Sequence, residues 1–316
     1  MQKYMRHAIY FERISAMKQT IQTDDSLREL CTHGTPDFPL QINHDNISDF
    51  QDNYIRCHWH SELEISLVTE GTVLYLVGGK SFRLCAGQGL IINANTPHMM
   101  TPAKGSARFI SMIVHPSFLY GTPGSFLEME IIRPYLESPE LSAVPLDPEK
   151  GDSGLLAMFR EVDRLCLGKP FAYQLQVHGL LCTAFGSVIR RHQEKLRPDR
   201  TAAPGNLQRL QMLLDYIHGH YGSPLSLTEL SAQIPMSREN CCRFFRQMTG
   251  CTISQYLNDY RISRSIHLMK NTDLSVSSIA SLSGFSSASR FAAAFRKKTG
   301  LSPSEYRRNH FITTVS

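Results

Sequence analysis

The sequence predicts an α+β multidomain protein: an N-terminal β-barrel or jelly roll with a helical connector, then an all-α C-terminal domain with two helix-turn-helix motifs. Three observations predict it. Between Tyr54 and Val114 the chain breaks into short β-rich runs divided by turn residues, and from Ser125 apolar residues recur at helical spacing. Between Leu225 and Arg308 one helical pattern occurs twice. In that duplication Ser237, Phe245, Arg246, Thr249 and Gly250 return 50 residues later as Ser287, Phe295, Arg296, Thr299 and Gly300, and Leu227 and Leu230 return as Val276 and Ile279. A length of 316 residues suits two domains, and 42% hydrophobic with 19% charged residues lets each bury a core.

Residues 1 to about 50 carry weak periodicity, with Thr23 to Asp25 and Gly34 to Pro39 reading as loop. Strands are expected over Leu63 to Val68, Val73 to Val77, Ser81 to Leu84, Gly89 to Ile92 and Arg108 to Val114, with turns at Glu70-Gly71, Gly78-Gly79, Ala86-Gly87 and Asn95-Thr96-Pro97. Short strands at this spacing suit a small barrel. Within them lie His58, Trp59 and His60, then Glu62 and Glu64, with Pro97-His98 after the Gly87 turn. Alternation along a strand turns His58 and His60 to one face, where a histidine from a neighbouring strand would complete a metal site; His58, His60, Glu64 and His98 are therefore candidate ligands for a divalent metal. The spacing His-x-His-x3-Glu-x6-Gly, ending at Gly71, resembles the first cupin motif, and Gly87 to His98 resembles a reduced second one. The barrel is thus cupin-like. Three readings of the histidines stay open: metal ligands, groups lining an effector pocket together with Trp59 and Glu62, or structural side chains. The pocket reading is preferred, with no cofactor.

Three helical stripes follow: Phe126, Met129, Ile132 and Leu136; then Leu155, Leu156, Phe159, Val162, Leu165 and Cys166; then, from Pro170 to about Lys195, Leu175, His178, Leu181, Cys182, Phe185 and Ile189. The last helix has two equal readings, a dimer contact or intramolecular packing. Pro198, Ala202, Ala203, Pro204 and Gly205 mark a linker. The expected domains are an effector-binding domain at 1–124, a connector and dimerisation region at 125–195, a linker at 196–205 and a DNA-binding domain at 206–316.

In that last domain Leu207 to Tyr221 reads as a first helix packing through Leu210, Leu213, Leu214 and Ile217. In the first repeat Leu227, Leu230 and Ile234 give an apolar face, Pro235 breaks the helix and Ser237 caps the next, whose Cys241, Phe244, Phe245 and Met248 face inward until Gly250. In the second, Val276, Ile279 and Leu282 form the stripe, Gly284 allows the turn, Ser286 or Ser287 caps, and Phe291, Ala294 and Phe295 face inward until Gly300. Thr252 to about Lys270 joins the two as a helix of roughly 28 Å at about 1.5 Å per residue. Gly284, Phe285, Ser287, Phe291, Phe295, Arg296, Lys297, Gly300, Ser302, Pro303, Tyr306 and Arg307 reproduce the C-terminal signature of the AraC family of transcription regulators, which this last third of the chain resembles. Pro235 stands where the family usually has Gly.

The resemblance implies a sequence-specific DNA-binding regulator, active as a homodimer in the cytoplasm and controlled by a small molecule, for which a sugar is the family's commonest association. Double-stranded DNA is the expected partner, and RNA polymerase a further candidate. Carried over by position, Glu239, Cys242 and Arg243 of the first recognition helix face the bases beside Asn240, and Arg238 and Arg246 suit phosphates. On the second, Ser287, Ser289, Arg290, Ala292 and Ala293 are the equivalents, with Arg290 the one long donor; Arg296, Lys297 and Lys298 suit phosphate or solvent.

Charge agrees with this division. From Asn206 onward 13 basic residues face 6 acidic ones, a net of +7, while the rest carries 20 against 22, a net of −2. The eight cysteines show no paired C-x-x-C and read as reduced thiols. No apolar run reaches membrane-spanning length, and none marks a secretory leader. Two other classes compete: a cupin metalloenzyme tethered to DNA, and a non-specific architectural DNA protein. An enzyme is disfavoured because tandem reading helices serve no catalysis.

Overall fold

The computed structural model describes residues 18–196 and 205–311, with side chains as far as Arg308. The chain divides into two compact units, Met1–Leu207 and Gln208–Ser316.

The first unit holds β1 (Leu40–Asn46), β2 (Ile55–His58), β3 (Leu63–Glu70), β4 (Thr72–Val77), β5 (Lys80–Cys85), β6 (Gly89–Ile92), β7 (His98–Pro102), β8 (Arg108–Val114) and β9 (Ala143–Leu146). Two antiparallel sheets, ordered β1-β8-β3-β6-β9 and β2-β7-β4-β5, face each other as a jelly-roll-like sandwich. Val68, Leu90, Ile92 and Phe109 of the first meet Val73, Tyr75, Val77, Leu84 and Met100 of the second in one core. β3 is buried through six consecutive residues, Leu63 to Val68, because both its faces are covered. Alternation sends Glu64, Ser66 and Val68 between the sheets and Leu63, Ile65 and Leu67 outward, into a second core built with helices.

Those helices follow β8: α1 (Ser117–Tyr120), a π-helical turn at Leu127–Ile132, α2 (Arg133–Leu136), α3 (Ser153–Gly168) and α4 (Tyr173–Arg191). Phe159 and Val162 of α3 and Leu181, Phe185 and Val188 of α4 pack on the outer face of β3 and β8. The expected stripe through Phe126 and Met129 is corrected: both are exposed, whereas Ile132 and Tyr135 are buried. The π turn holds extra backbone per turn and rotates the apolar face. On α4, Leu181, Phe185 and Ile189 are spent inside the unit, while Leu175 is exposed.

The expected strands appear as β3, β4, β5, β6 and β8 within two residues of their anticipated ends; β2 and β7 are the strands on which His58 and His98 were placed, and β1 and β9 have no expected counterpart. Linker positions 197–204 lie outside the described residues.

The second unit contains α5 (Asn206–His220), α6 (Leu227–Ser231), α7 (Arg238–Thr249), α8 (Ile253–Asn271), α9 (Val276–Leu282), α10 (Ala288–Thr299) and α11 (Pro303–Phe311). Ser237 and Ser287 cap α7 and α10 by accepting from the amides of Asn240 and Arg290, and Gly250 and Gly300 end them in the left-handed conformation. Thr252 and Gln255 form a capping box on α8. Leu210, Leu213, Leu214 and Ile217 of α5 are fully buried, as expected. Leu227 on α6 is exposed instead, and so is Leu282, because the buried face of α9 runs through Ile279 and Ala280 to the capping Ser283, one position around from it.

A polar tie joins the turn between α5 and α6 to α8 and to the turn of the second repeat. Arg261, midway along α8, donates from Nε to the Tyr221 carbonyl at 2.7 Å and from Nη2 to the Ser223 carbonyl at 2.9 Å, and its guanidinium lies over Phe285. Gly284 sits against the same carbonyl with φ 78°, where a Cβ would come within 2.3 Å of the Tyr221 oxygen. Only glycine satisfies both the backbone angle and the approach.

Candidate functional site

Between the sheets lies a cavity of about 280 Å³. Its wall is polar where a core would be apolar: β1 contributes Gln41, Asn43 and Asp45, β8 contributes Ser111, β3 Glu64 and β4 Tyr75. At one end the imidazoles gather. β2 pairs antiparallel with β7 so that His58 lies directly opposite His98, with ring centroids 4.2 Å apart. A bulge between Ile55 and His58 interrupts the ladder there. His60 lies just beyond the end of β2 and turns inward, its ring 5.1 Å from that of His98. Glu64 Oε2 stands 3.1 Å from His98 Nε2 and 3.5 Å from His60 Nε2. All four side chains are buried, and one ligand atom from each falls within 4.8 Å of the others.

Burial opposes charge on Glu64, yet the imidazoles of His60 and His98 beside it hold its carboxyl well below the usual carboxylate range. Burial also lowers His98, but the adjoining Glu64 carboxylate wins and raises it; His58, with burial and two imidazole neighbours against its charge, is pushed well down. Burial raises the Tyr75 hydroxyl far above its usual value, and that hydroxyl donates to Ser66 Oγ at 2.7 Å.

His58, His60, Glu64 and His98, chosen on spacing alone, thus converge. Glu62 approaches the cluster from the side, its Oε2 3.6 Å from His60 Nδ1. Trp59 turns the other way: it donates to the Ser26 carbonyl at 2.8 Å, packs under Arg28 and does not line the cavity. A second group, Glu29, Cys31 and His33, lies beside the first, with Glu29 Oε2 3.1 Å from His33 Nε2 and 3.8 Å from His58 Nε2. Sequence reasoning missed it, because the contact depends on an extended segment hydrogen-bonded alongside Trp59. Gln41 and Asn43 had a usable signal in the alternation of Leu40, Gln41, Ile42 and Asn43, which His44 ends before Asp45.

In the second unit, Arg238, Glu239, Asn240, Arg243 and Arg246 are exposed on α7 and Cys242 is half-buried. On α10, Ser289, Arg290, Ala293 and Arg296 are exposed, Ala292 is half-buried and the exposed Ser287 is engaged as the cap. Phe291 and Phe295 anchor the opposite face of α10 in a core with Ile262, Met269 and Ile279. Each repeat therefore presents the outer face of its second helix, as groove reading requires. Lys298 is paired with Asp259 of α8.

Residues 47–163 match the family model described as an AraC-like ligand binding domain, and residues 230–309 match that of a helix-turn-helix domain. The chain is similar to the uncharacterized HTH-type transcriptional regulator YdeC of Bacillus subtilis, 26% identical over 287 residues that make up 90% of this chain and 97% of that protein. It is also similar to the HTH-type transcriptional activator RhaR of Cronobacter sakazakii, 24% identical over 295 residues, 89% and 95% of the two chains. Among solved structures, ToxT from Vibrio cholerae aligns over 85% of this chain and 98% of its own, with 16% identity and a TM-score of 0.34. With a matched ligand-binding domain ahead of matched reading helices, the chain belongs to the AraC family of DNA-binding transcriptional regulators.

Proposed function

We propose that a small polar molecule bound in the barrel cavity controls how the C-terminal unit engages a specific DNA sequence. The observation that carries this reading is the cavity itself: a polar-walled space inside a close-packed sandwich, in a chain whose other unit presents two reading helices. Buried polar groups cost free energy unless something pairs with them, and a hydrogen-bonding ligand does so. The side chains assigned to the effector are His58, His60, Glu62, Glu64 and His98; Trp59, expected among them, faces away from the cavity and is left out. The amide and carboxylate wall favours a polyhydroxylated molecule such as a sugar. The working divisions are an effector domain at 1–124, a connector at 125–195, a linker at 196–205 and a DNA-binding domain at 206–316.

On duplex DNA, Glu239, Asn240, Cys242 and Arg243 of α7 and Ser289, Arg290 and Ala293 of α10 meet base edges, while Arg238, Arg246, Ser287 and Arg296 meet phosphates. The protein acts by binding rather than turnover, in the cytoplasm where its DNA lies. It works as a homodimer, supported by Leu167, Phe171 and Leu175, which stay exposed around the turn between α3 and α4. Contact with RNA polymerase is part of the proposal, supported by the activator named among its relatives. Selecting sites from random duplex DNA with and without a metabolite pool tests the whole: one enriched motif whose occupancy changes with the pool is expected. Enrichment of no motif would sink the DNA reading, and a motif indifferent to every metabolite would sink the effector reading.

A further inference from the structure

We infer that Glu29, Cys31 and His33, on the segment that borders the cavity ahead of β1, form a site for one thiophilic divalent ion of the zinc type. None of the three is among the side chains assigned to the effector, so the site goes beyond that reading and lies apart from the cluster of His58, His60, Glu64 and His98.

Local sequence and backbone bring the three side chains together. Glu29, Cys31 and His33 line the cavity, whereas Leu30 and Thr32, which alternate with them, are exposed and do not. This is the pattern of extended chain, in which every second side chain shares a face. Backbone bonds hold the segment in place: the Glu29 amide donates to the Trp59 carbonyl at 2.9 Å, the Leu30 amide to the Gln22 carbonyl at 2.9 Å, and the Trp59 amide to the Leu27 carbonyl at 3.0 Å. One ligand atom from each of Glu29, Cys31 and His33 falls within 4.8 Å of the other two.

Burial distinguishes the group from scattered surface acids. The side chains of His33 and Glu29 are only 3% and 7% exposed, with His33 Nε2 3.1 Å from Glu29 Oε2. Cys31 is exposed while still lining the cavity, which gives an ion a way in from solvent. Its Sγ makes one long contact, 3.7 Å to the Thr32 carbonyl, so little holds the thiol proton. Uptake sends that proton to solvent and leaves a thiolate, the form of cysteine that ligates metal. The thiolate and the Glu29 carboxylate then carry two negative charges, which a divalent ion cancels where a net charge would be costly to bury. A thiolate, an imidazole and a carboxylate suit zinc; magnesium and calcium take oxygen ligands instead. Three protein ligands leave a fourth tetrahedral position open for water or for an oxygen donor from the cavity.

The test uses the full-length untagged chain, kept reduced, freed of metal by chelation and titrated with Co²⁺ alone, with absorption and bound metal measured together. A thiolate ligand gives cobalt an intense charge-transfer band in the near ultraviolet that imidazoles and carboxylates do not, so the band separates Cys31 from the histidine cluster. The expected result is a band that saturates at one ion per chain, disappears when Zn²⁺ displaces the cobalt and is lost in Cys31→Ser. His33→Gln and Glu29→Gln should each weaken binding about tenfold or more. Cys85→Ser, which replaces an exposed thiol that does not line the cavity, should leave the band unchanged. Emission from Trp59, the one tryptophan, identifies variants that remain folded. Cobalt uptake without the band, a band that survives Cys31→Ser, or affinity unchanged in folded His33→Gln and Glu29→Gln overturns the inference. The effector reading is decided separately by selection from random DNA, so either can fail while the other stands.

Discussion

Gly284→Ala should loosen the second unit and leave the first untouched. At φ 78° an alanine meets a left-handed backbone, which costs roughly 1–2 kcal/mol. Its Cβ would also stand 2.3 Å from the Tyr221 carbonyl oxygen, so the two backbone segments must part. Parting them breaks the bond from Arg261 Nε to that oxygen, a contact from a cation that burial already disfavours. Hydrogen bonds from charged groups contribute about 1.5–3 kcal/mol. Together the loss is about 2.5–5 kcal/mol, a large share of the stability of a unit this size. Chemical denaturation of the full chain reads it out, with helical circular dichroism reporting mainly the second unit and Trp59 emission only the first. The helical transition should move by more than about 10 °C in thermal melts while the Trp59 transition stays in place. Arg261→Gln in the same background should add less than it costs alone, since the bond is already lost. A Gly284→Ala chain that melts like wild type, or in which both signals move together, would refute the close-approach argument.

Arg243→Ala should relax base preference at one or two positions of the first half-site, costing about 1–3 kcal/mol there; site selection that returns an unchanged motif would mark Arg243 as a phosphate contact. Arg296→Ala should weaken all sequences alike and reduce the salt slope of binding by about 1. His33 is buried, which lowers its pKa, but the Glu29 carboxylate prevails and raises it. Its protonated pair therefore stabilises the fold fully below the ordinary histidine pKa of about 6.5, and the contribution fades as pH rises through the raised folded-state pKa. In chelator, the stability gap between wild type and His33→Gln should shrink with rising pH; a gap that widens would reverse the assignment. Ser66→Ala strands the Tyr75 hydroxyl between the sheets and should cost about 1–3 kcal/mol by Trp59-monitored denaturation, whereas a neutral change would mean that another acceptor replaces Ser66.

What the sequence made legible depended on where each pattern's cause lay. β6 and β8 have the expected bounds because their runs are dominated by β-branched and other apolar residues and end at turn residues. The duplicated caps and stops of α7 and α10 were readable since Ser at the start and Gly at the end act within their own helix. β1 escaped notice for a different reason: its polar residues face a cavity rather than solvent, and they follow a stretch of turns. The histidine spacing pointed to the site, but the meeting of His58 with His98 depends on the pairing of two strands 40 residues apart in the chain. Glu29 and His33 arrive through tertiary contact alone, and no local pattern announces them. The π turn likewise has no signature in apolar spacing, which is why Phe126 and Met129 were assigned to the wrong face.

β3 is a partition with a tenant on each side. Five successive residues, Leu63 to Leu67, answer alternately to the helices and to the space between the sheets, so the strand cannot slide by one position without exchanging all its tenants at once. Such a slip would drive the Glu64 carboxylate among Phe159 and Leu181 and put leucines where the imidazoles expect an anion. The register of one strand thus enforces both the seating of the helices and the chemistry of the cavity, and a single-residue insertion in β3 removes the two together.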